Sequence, residues 1–146
     1  RVACGLATGK AHKSIDLGTE TDIYLARVDW IDADTLSFQI QSRDQQRLDL
    51  RRTDLGSLTS ETVLSETSAT WVPLHNNLHV FADGQRFLWT SERSGFAHLY
   101  LGRFDQPGLT ALTAGEWMVE DLLGVDEDAG VVYFSATRDS ALERHA

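Results

Sequence analysis

The sequence predicts an all-β chain, an arc of antiparallel four-stranded β-propeller blades with about two whole blades and two partial ones. Three observations predict it. Apolar residues alternate with polar ones in short runs, polar turns join those runs into hairpins, and the hairpins recur at the spacing of propeller blades. No window sustains the i, i+3, i+4, i+7 apolar spacing of a helix.

Residues 1–18, RVACGLATGKAHKSIDLG, fit the third and fourth strands of an earlier blade. The next blade spans residues 19–66. YLARVDWI (24–31) is its inner strand, and Leu36, Phe38 and Ile40 then alternate with Ser37, Gln39 and Gln41. The polar turn SRDQQ leads to a return strand around Leu48 and Leu50, and ETVLSET (61–67) is the outer strand. A second whole blade spans 67–115. WVPLHN (71–76) is its inner strand, Asp83-Gly84 signals a turn, RFLWTS and HLYLGRF form the central hairpin across ERSGFA, and GLTALTAG (108–115) lies outermost. Residues 116–146 start another blade, with WMVEDLLGVD (117–126) as inner strand and Val131–Phe134 as the second.

The hairpin copies share a serine followed closely by arginine. Ser42, Ser91 and Ser135 are 49 and then 44 residues apart, a period that suits about four strands per unit. Closed propellers use 4–8 such blades, so this register makes the chain an arc cut in mid-blade at both ends. Exposed blade faces and unpaired strand edges of such an arc favour self-association. A self-contained antiparallel sandwich is the alternative architecture, and the matched repeat argues against it.

Bulk properties narrow the function. The chain has 146 residues and a formal net charge of -9, which repels phosphate backbones and disfavours nucleic acid as partner. No apolar run reaches the length of a membrane span. The one cysteine, Cys4, has no second thiol for a disulfide or a zinc site and reads as a buried structural thiol. The start RVACGLATGK is neither Met-led nor shaped like a signal peptide, so the native N-terminus is read as missing and the compartment stays open.

Chemistry-bearing patterns are few. There is no G-x-S-x-G elbow and no Gly-rich phosphate loop, so no catalytic residue is assigned. His75 and His79 are four apart, but they leave a strand for a loop and lack an intervening Glu, so no metal site is assigned. DEDAG (126–130) lacks the third acidic position and distal Glu of a calcium loop and reads as a solvated hairpin turn. The six acids from Glu116 to Asp128 read as an exposed rim. Trp30, Trp71 and Trp117 are placed at the starts of inner strands as packing between sheets, with Trp89 in the core.

Five segments in unbroken order carry a resemblance over nearly the whole chain: YLARVDW, SRDQQRLDL, SETSATWVPLHNNLHVFADGQRFLWTSERSGFAHLYL, LTAGEW and GVVYFSATRDSALERH. Together they resemble the N-terminal propeller of bacterial dipeptidyl peptidase IV-like enzymes, of the prolyl oligopeptidase class of serine peptidases. SERSGFAHLYL by itself is a weak signal, since periplasmic propellers of the TolB type use similar text; the five ordered segments make the match. The resemblance implies an eight-bladed propeller followed by a C-terminal α/β-hydrolase domain that carries the triad, with no cofactor. It implies removal of dipeptides from peptide substrates, a propeller that gates the pocket, frequent dimers, and a periplasmic or cell-envelope setting. The family's paired glutamates sit in a helical insertion that has no counterpart here, and EWMVED at a blade start is not taken as one. Only WVPLHNN falls where members project pocket residues, so His75 and Asn76 are the candidate substrate-binding residues. A polar loop that merely caps its strand is the competing reading. A free-standing binding propeller for peptide or cell-envelope ligands is the alternative function.

Overall fold

A computed structural model describes residues 14–138. They contain ten β-strands and no helix, so none is long and apolar enough to cross a membrane. The chain divides into two compact units, residues 1–72 and 73–146.

In the first unit, β1 (Ile23–Trp30), β2 (Thr35–Ser42), β3 (Arg47–Asp54) and β4 (Ser60–Thr67) form one sheet in sequence order, every neighbour antiparallel. The alternation of β2 fixes its register. Leu36, Phe38 and Ile40 form one buried cluster with Ile15, against which Leu17, Ile23 and Leu55 pack. The segment expected to end an earlier blade falls mostly outside the described residues. Its last part, 14–18, is not a strand: it lends Ile15 and Leu17 to this core, and Arg51 donates to the Leu17 carbonyl at 2.8 Å.

The polar face of β2 is buried as fully as the apolar one: Ser37, Gln39 and Gln41 are 0–3% exposed. Register explains this. Gln39 lies opposite Leu50 and Gln41 opposite Leu48, so the glutamines join an apolar face. The Gln41 amide donates to the Val72 carbonyl at 2.8 Å and the Ser37 hydroxyl to the Asp29 carbonyl at 3.3 Å, which offsets part of their desolvation.

In the second unit, β5 (His79–Val80), β6 (Arg86–Ser91), β7 (His98–Arg103) and β8 (Gln106–Ala111) repeat the same order, and β9 (Val119–Asp126) pairs with β10 (Val131–Ala136). Phe87, Leu88, Trp89 and Leu99 are its most buried apolar positions, at 1% exposure or less. The inner strand here differs from expectation. WVPLHN is not a strand; only His79 and Val80 pair with β6, opposite Leu88 and Phe87. Pro73 has no N–H to give a ladder, and the Asn76-Asn77 pair favours a turn.

Two of the three repeated serines act as turn acceptors. Ser42 Oγ accepts from the Arg47 N–H at 3.0 Å, and Ser91 Oγ from the Arg93 N–H at 3.2 Å. The arginines that follow lie over tyrosine rings, Arg43 at 4.8 Å from the Tyr24 centroid and Arg93 at 5.4 Å from that of Tyr100.

The tryptophans are not equivalent, contrary to expectation. Trp30 ends β1 instead of starting it and is 53% exposed, while Trp71 lies outside any strand at 62% exposure. β1 begins pairing early, at Ile23 opposite Ser42, which carries Trp30 to the far hairpin end. Trp117 precedes β9 and stacks on Phe134 with centroids 6.3 Å apart. Trp89 is fully buried, as expected.

The β5–β6 turn carries a pH-dependent contribution. Asp83 accepts from the backbone N–H groups of Arg86 and Gln85 and from the Arg86 guanidinium, which hold its carboxyl at about 2 against an ordinary 3.8. A depressed folded-state pKa stabilises above the unfolded value, and that contribution is lost as pH falls through about 2. Asp83→Asn is therefore expected to flatten the fall of Tm between pH about 4 and about 2. Thermal melts of both proteins across that range check it.

Candidate functional site

Three residues of the inner loop of the second unit are tied in different directions. The His75 ring meets Trp89 edge-on, centroids 4.5 Å apart, and its Nδ1 accepts from the Asn77 N–H at 3.2 Å. Asn76 is exposed between them. Asn77 is only 5% exposed, and its side-chain amide bonds twice to β9, donating to the Glu120 carbonyl at 2.9 Å and accepting from the Leu122 N–H at 3.0 Å. The two predicted site residues thus sit together at the loop apex, with one half-buried and the other outward.

Asn77 was missed by reading the sequence, because a strand over 71–76 left it no role. Buried asparagine needs partners on both ends of its amide, and the Asn-Asn pair after Pro73 was the available signal for a loop.

His75 and His79 do not converge. His79 Nε2 lies 3.3 Å from Glu127 Oε1, and its ring meets Phe81 edge-on. Glu127 also accepts from the Ala82 N–H at 2.9 and 3.1 Å, so this acid of the DEDAG turn ties the β9–β10 hairpin to the β5–β6 turn and is more than a solvated rim. Asp126 and Gly130 do form the turn itself: Asp126 accepts from the Ala129 N–H at 2.9 Å, and Gly130 has a φ of 66°. Among the described residues no three His, Cys, Asp or Glu side chains group as metal ligands.

Behind the loop the second unit is held by a directional relay. The Leu99 N–H donates to Thr113 Oγ1, His98 Nδ1 lies 3.0 Å from that oxygen, and His98 Nε2 lies 2.9 Å from the Gly115 carbonyl. A carbonyl only accepts, so Nε2 carries the proton; with the ring singly protonated, Nδ1 is the acceptor and the Thr113 hydroxyl donates to it. The neutral Nε2–H tautomer completes every bond in the chain. His98 is 1% exposed and meets Trp117 edge-on at 4.9 Å, so it is a structural group. Gly115 has a φ of 135°, and a Cβ there would lie 2.6 Å from Trp117 Cδ1.

In the first unit a polar cleft of about 370 Å³ is lined by Thr35, Arg52, Asp54, Thr59 and Glu61. Its cation is already satisfied, because Arg52 Nε donates to Glu61 at 2.8 Å.

Comparison with known proteins decides the family. Residues 2–146 match the family described as dipeptidyl peptidase IV (DPP IV) N-terminal region. The chain belongs to that family. Among curated DPP IV relatives, a probable dipeptidyl peptidase 4 of Aspergillus fumigatus is 31% identical over 140 residues, covering 90% of this chain and 18% of its own length. Dipeptidyl peptidase 4 of Arthroderma otae is 31% identical over 133 residues, covering 86% and 17%. The crystal structure of Porphyromonas gingivalis dipeptidyl peptidase 4 superposes with a TM-score of 0.84 at 28% identity, over 92% of this chain and 19% of that one. The all-β four-stranded sheets are accordingly those of a partial propeller from a DPP IV N-terminal region. The chain spans about 18% of the length of the curated DPP IV relatives it matches.

Proposed function

We propose that this DPP IV N-terminal region serves as a non-catalytic wall and gate for the substrate pocket of a serine-type dipeptidyl peptidase. Its partners in that role are the peptide substrate and a C-terminal α/β-hydrolase domain that supplies the nucleophile. His75 and Asn76 are the residues that line the extended part of the pocket. The observation that carries this reading is the loop itself. Where the first unit has an eight-residue inner strand, the second has a two-residue strand and a polar apex fixed on both sides. A segment released from the ladder but held in place can offer side chains to a ligand.

The two four-stranded sheets, β1–β4 and β5–β8, support a division into blades at 19–66 and 67–115. Val131 and Tyr133, two apart and so on one face of β10, are both exposed and support self-association of the chain by itself.

The test is kinetic, in the full-length protein that carries this region. His75→Ala and Asn76→Ala are each expected to raise KM for a dipeptidyl-Pro chromogenic substrate about three- to tenfold with kcat unchanged. An unchanged KM in both variants removes these residues from the pocket. A full-length protein whose turnover resists a serine-directed phosphonate removes the serine-peptidase reading.

A further inference from the structure

We infer that Asn77 is the positioning residue of this loop, standing in for a strand peptide that the sequence does not provide. The inference deepens the pocket reading above and rests on it for its functional half.

The geometry is that of a sheet ladder reduced to one amide. In a parallel pair, a residue on one strand donates to the carbonyl preceding its partner and accepts from the N–H following it. Asn77 does this with its side chain: Nδ2 bonds the Glu120 carbonyl, Oδ1 the Leu122 N–H, and the residue straddled is Asp121. Those two β9 groups point away from β10, whose Ser135 Oγ accepts instead from the Asp121 N–H at 3.2 Å. Among the described residues β10 is the only strand paired with β9, so the amide occupies the place of a neighbouring strand.

Consequences for the loop follow from its other bonds. The Asn77 backbone N–H holds His75 Nδ1, and the His75 ring is braced on the fully buried Trp89. Asn76 therefore lies between two anchored neighbours, one fixed on β6 and one on β9. Its presentation depends on Asn77 although Asn77 itself is buried.

Asn77→Asp gives a sharp test in the full-length protein. An ionised carboxylate keeps the acceptor for Leu122 but sets an anion against the Glu120 carbonyl. A protonated carboxyl reproduces the amide, with C=O accepting and O–H donating. The other titratable groups nearby are Glu120 and Asp121 on β9 and His75 on the loop, and wild-type protein measured at each pH corrects for them.

At neutral pH the variant is expected to lose roughly five- to tenfold of hydrogen-exchange protection over 74–78, the segment released from the Glu120 carbonyl. Protection is expected to return toward wild type as pH falls to about 4, where the carboxyl protonates. Asn77→Leu shows the same loss without recovery. KM for the dipeptidyl substrate rises about three- to tenfold at neutral pH with kcat unchanged.

Unchanged protection in both variants overturns the inference. Loss of protection that extends through β6 also overturns it, because the effect is then global unfolding. Local loss with an unchanged KM upholds the anchor and overturns the pocket role of His75 and Asn76.

Discussion

Gly102→Ala is expected to destabilise the second unit by about 2 kcal/mol or more, the scale of overpacking in a closed core. Gly102 lies opposite Phe87 on β6 and opposite Leu109 on β8. The Phe87 ring crosses the space a side chain would take, so an added Cβ would lie 2.7 Å from Leu109 Cδ2 and closer still to Phe87 Cζ. The glycine is required by close approach, since an aromatic ring from the neighbouring strand supplies the packing it lacks. Phe87 has little room to yield, being 1% exposed and packed on Phe104 with centroids 4.7 Å apart. Urea denaturation of Gly102→Ala, Phe87→Leu and the double variant measures the coupling. The alanine is expected to cost less in the Phe87→Leu background, and strict additivity would show that the two do not compete for one space.

His98→Ala is expected to cost about 3 kcal/mol, from a cavity plus two abandoned hydrogen-bond partners. Thr113 Oγ1 keeps its bond from the Leu99 N–H but loses its acceptor, the Gly115 carbonyl loses its donor, and Trp117 loses an edge contact. The same relay makes a spectroscopic claim. Nitrogen chemical shifts of the His98 ring at neutral pH are expected to show Nε2 protonated and Nδ1 bare. The opposite tautomer would put two lone pairs face to face at Gly115 and would remove the relay as the reason for the loss.

The sequence was most legible where period and turn chemistry agree. RFLWTS is β6 residue for residue, and ERSGFA and all of SRDQQ but Ser42 lie between strands, because turn-forming residues there follow a strand-length apolar or alternating run. It was least legible where backbone satisfaction comes from side chains. WVPLHN alternates well enough to imitate a strand, yet Pro73 and the Asn77 amide remove the need for a ladder. Trp30 and Trp71 misled for a related reason: composition names a residue suited to packing, while register decides which strand end it reaches. The polar face of β2 shows the same limit, since burial of Gln39 and Gln41 depends on the leucines opposite them in β3. For the candidate site, family resemblance alone proposes His75 and Asn76. The anchor beside them needed coordinates.

The brevity of β5 has an evolutionary side. In β6, inserting one residue would turn every following side chain to the opposite face and break the core. The loop before β5 has no such arithmetic, because its backbone is not counted against a neighbour. Residues can be gained or lost there with the scaffold unchanged, provided one amide still reaches β9. That freedom makes the segment the natural place for related chains to vary in length and side-chain chemistry, and the first place to graft a new recognition sequence onto this scaffold.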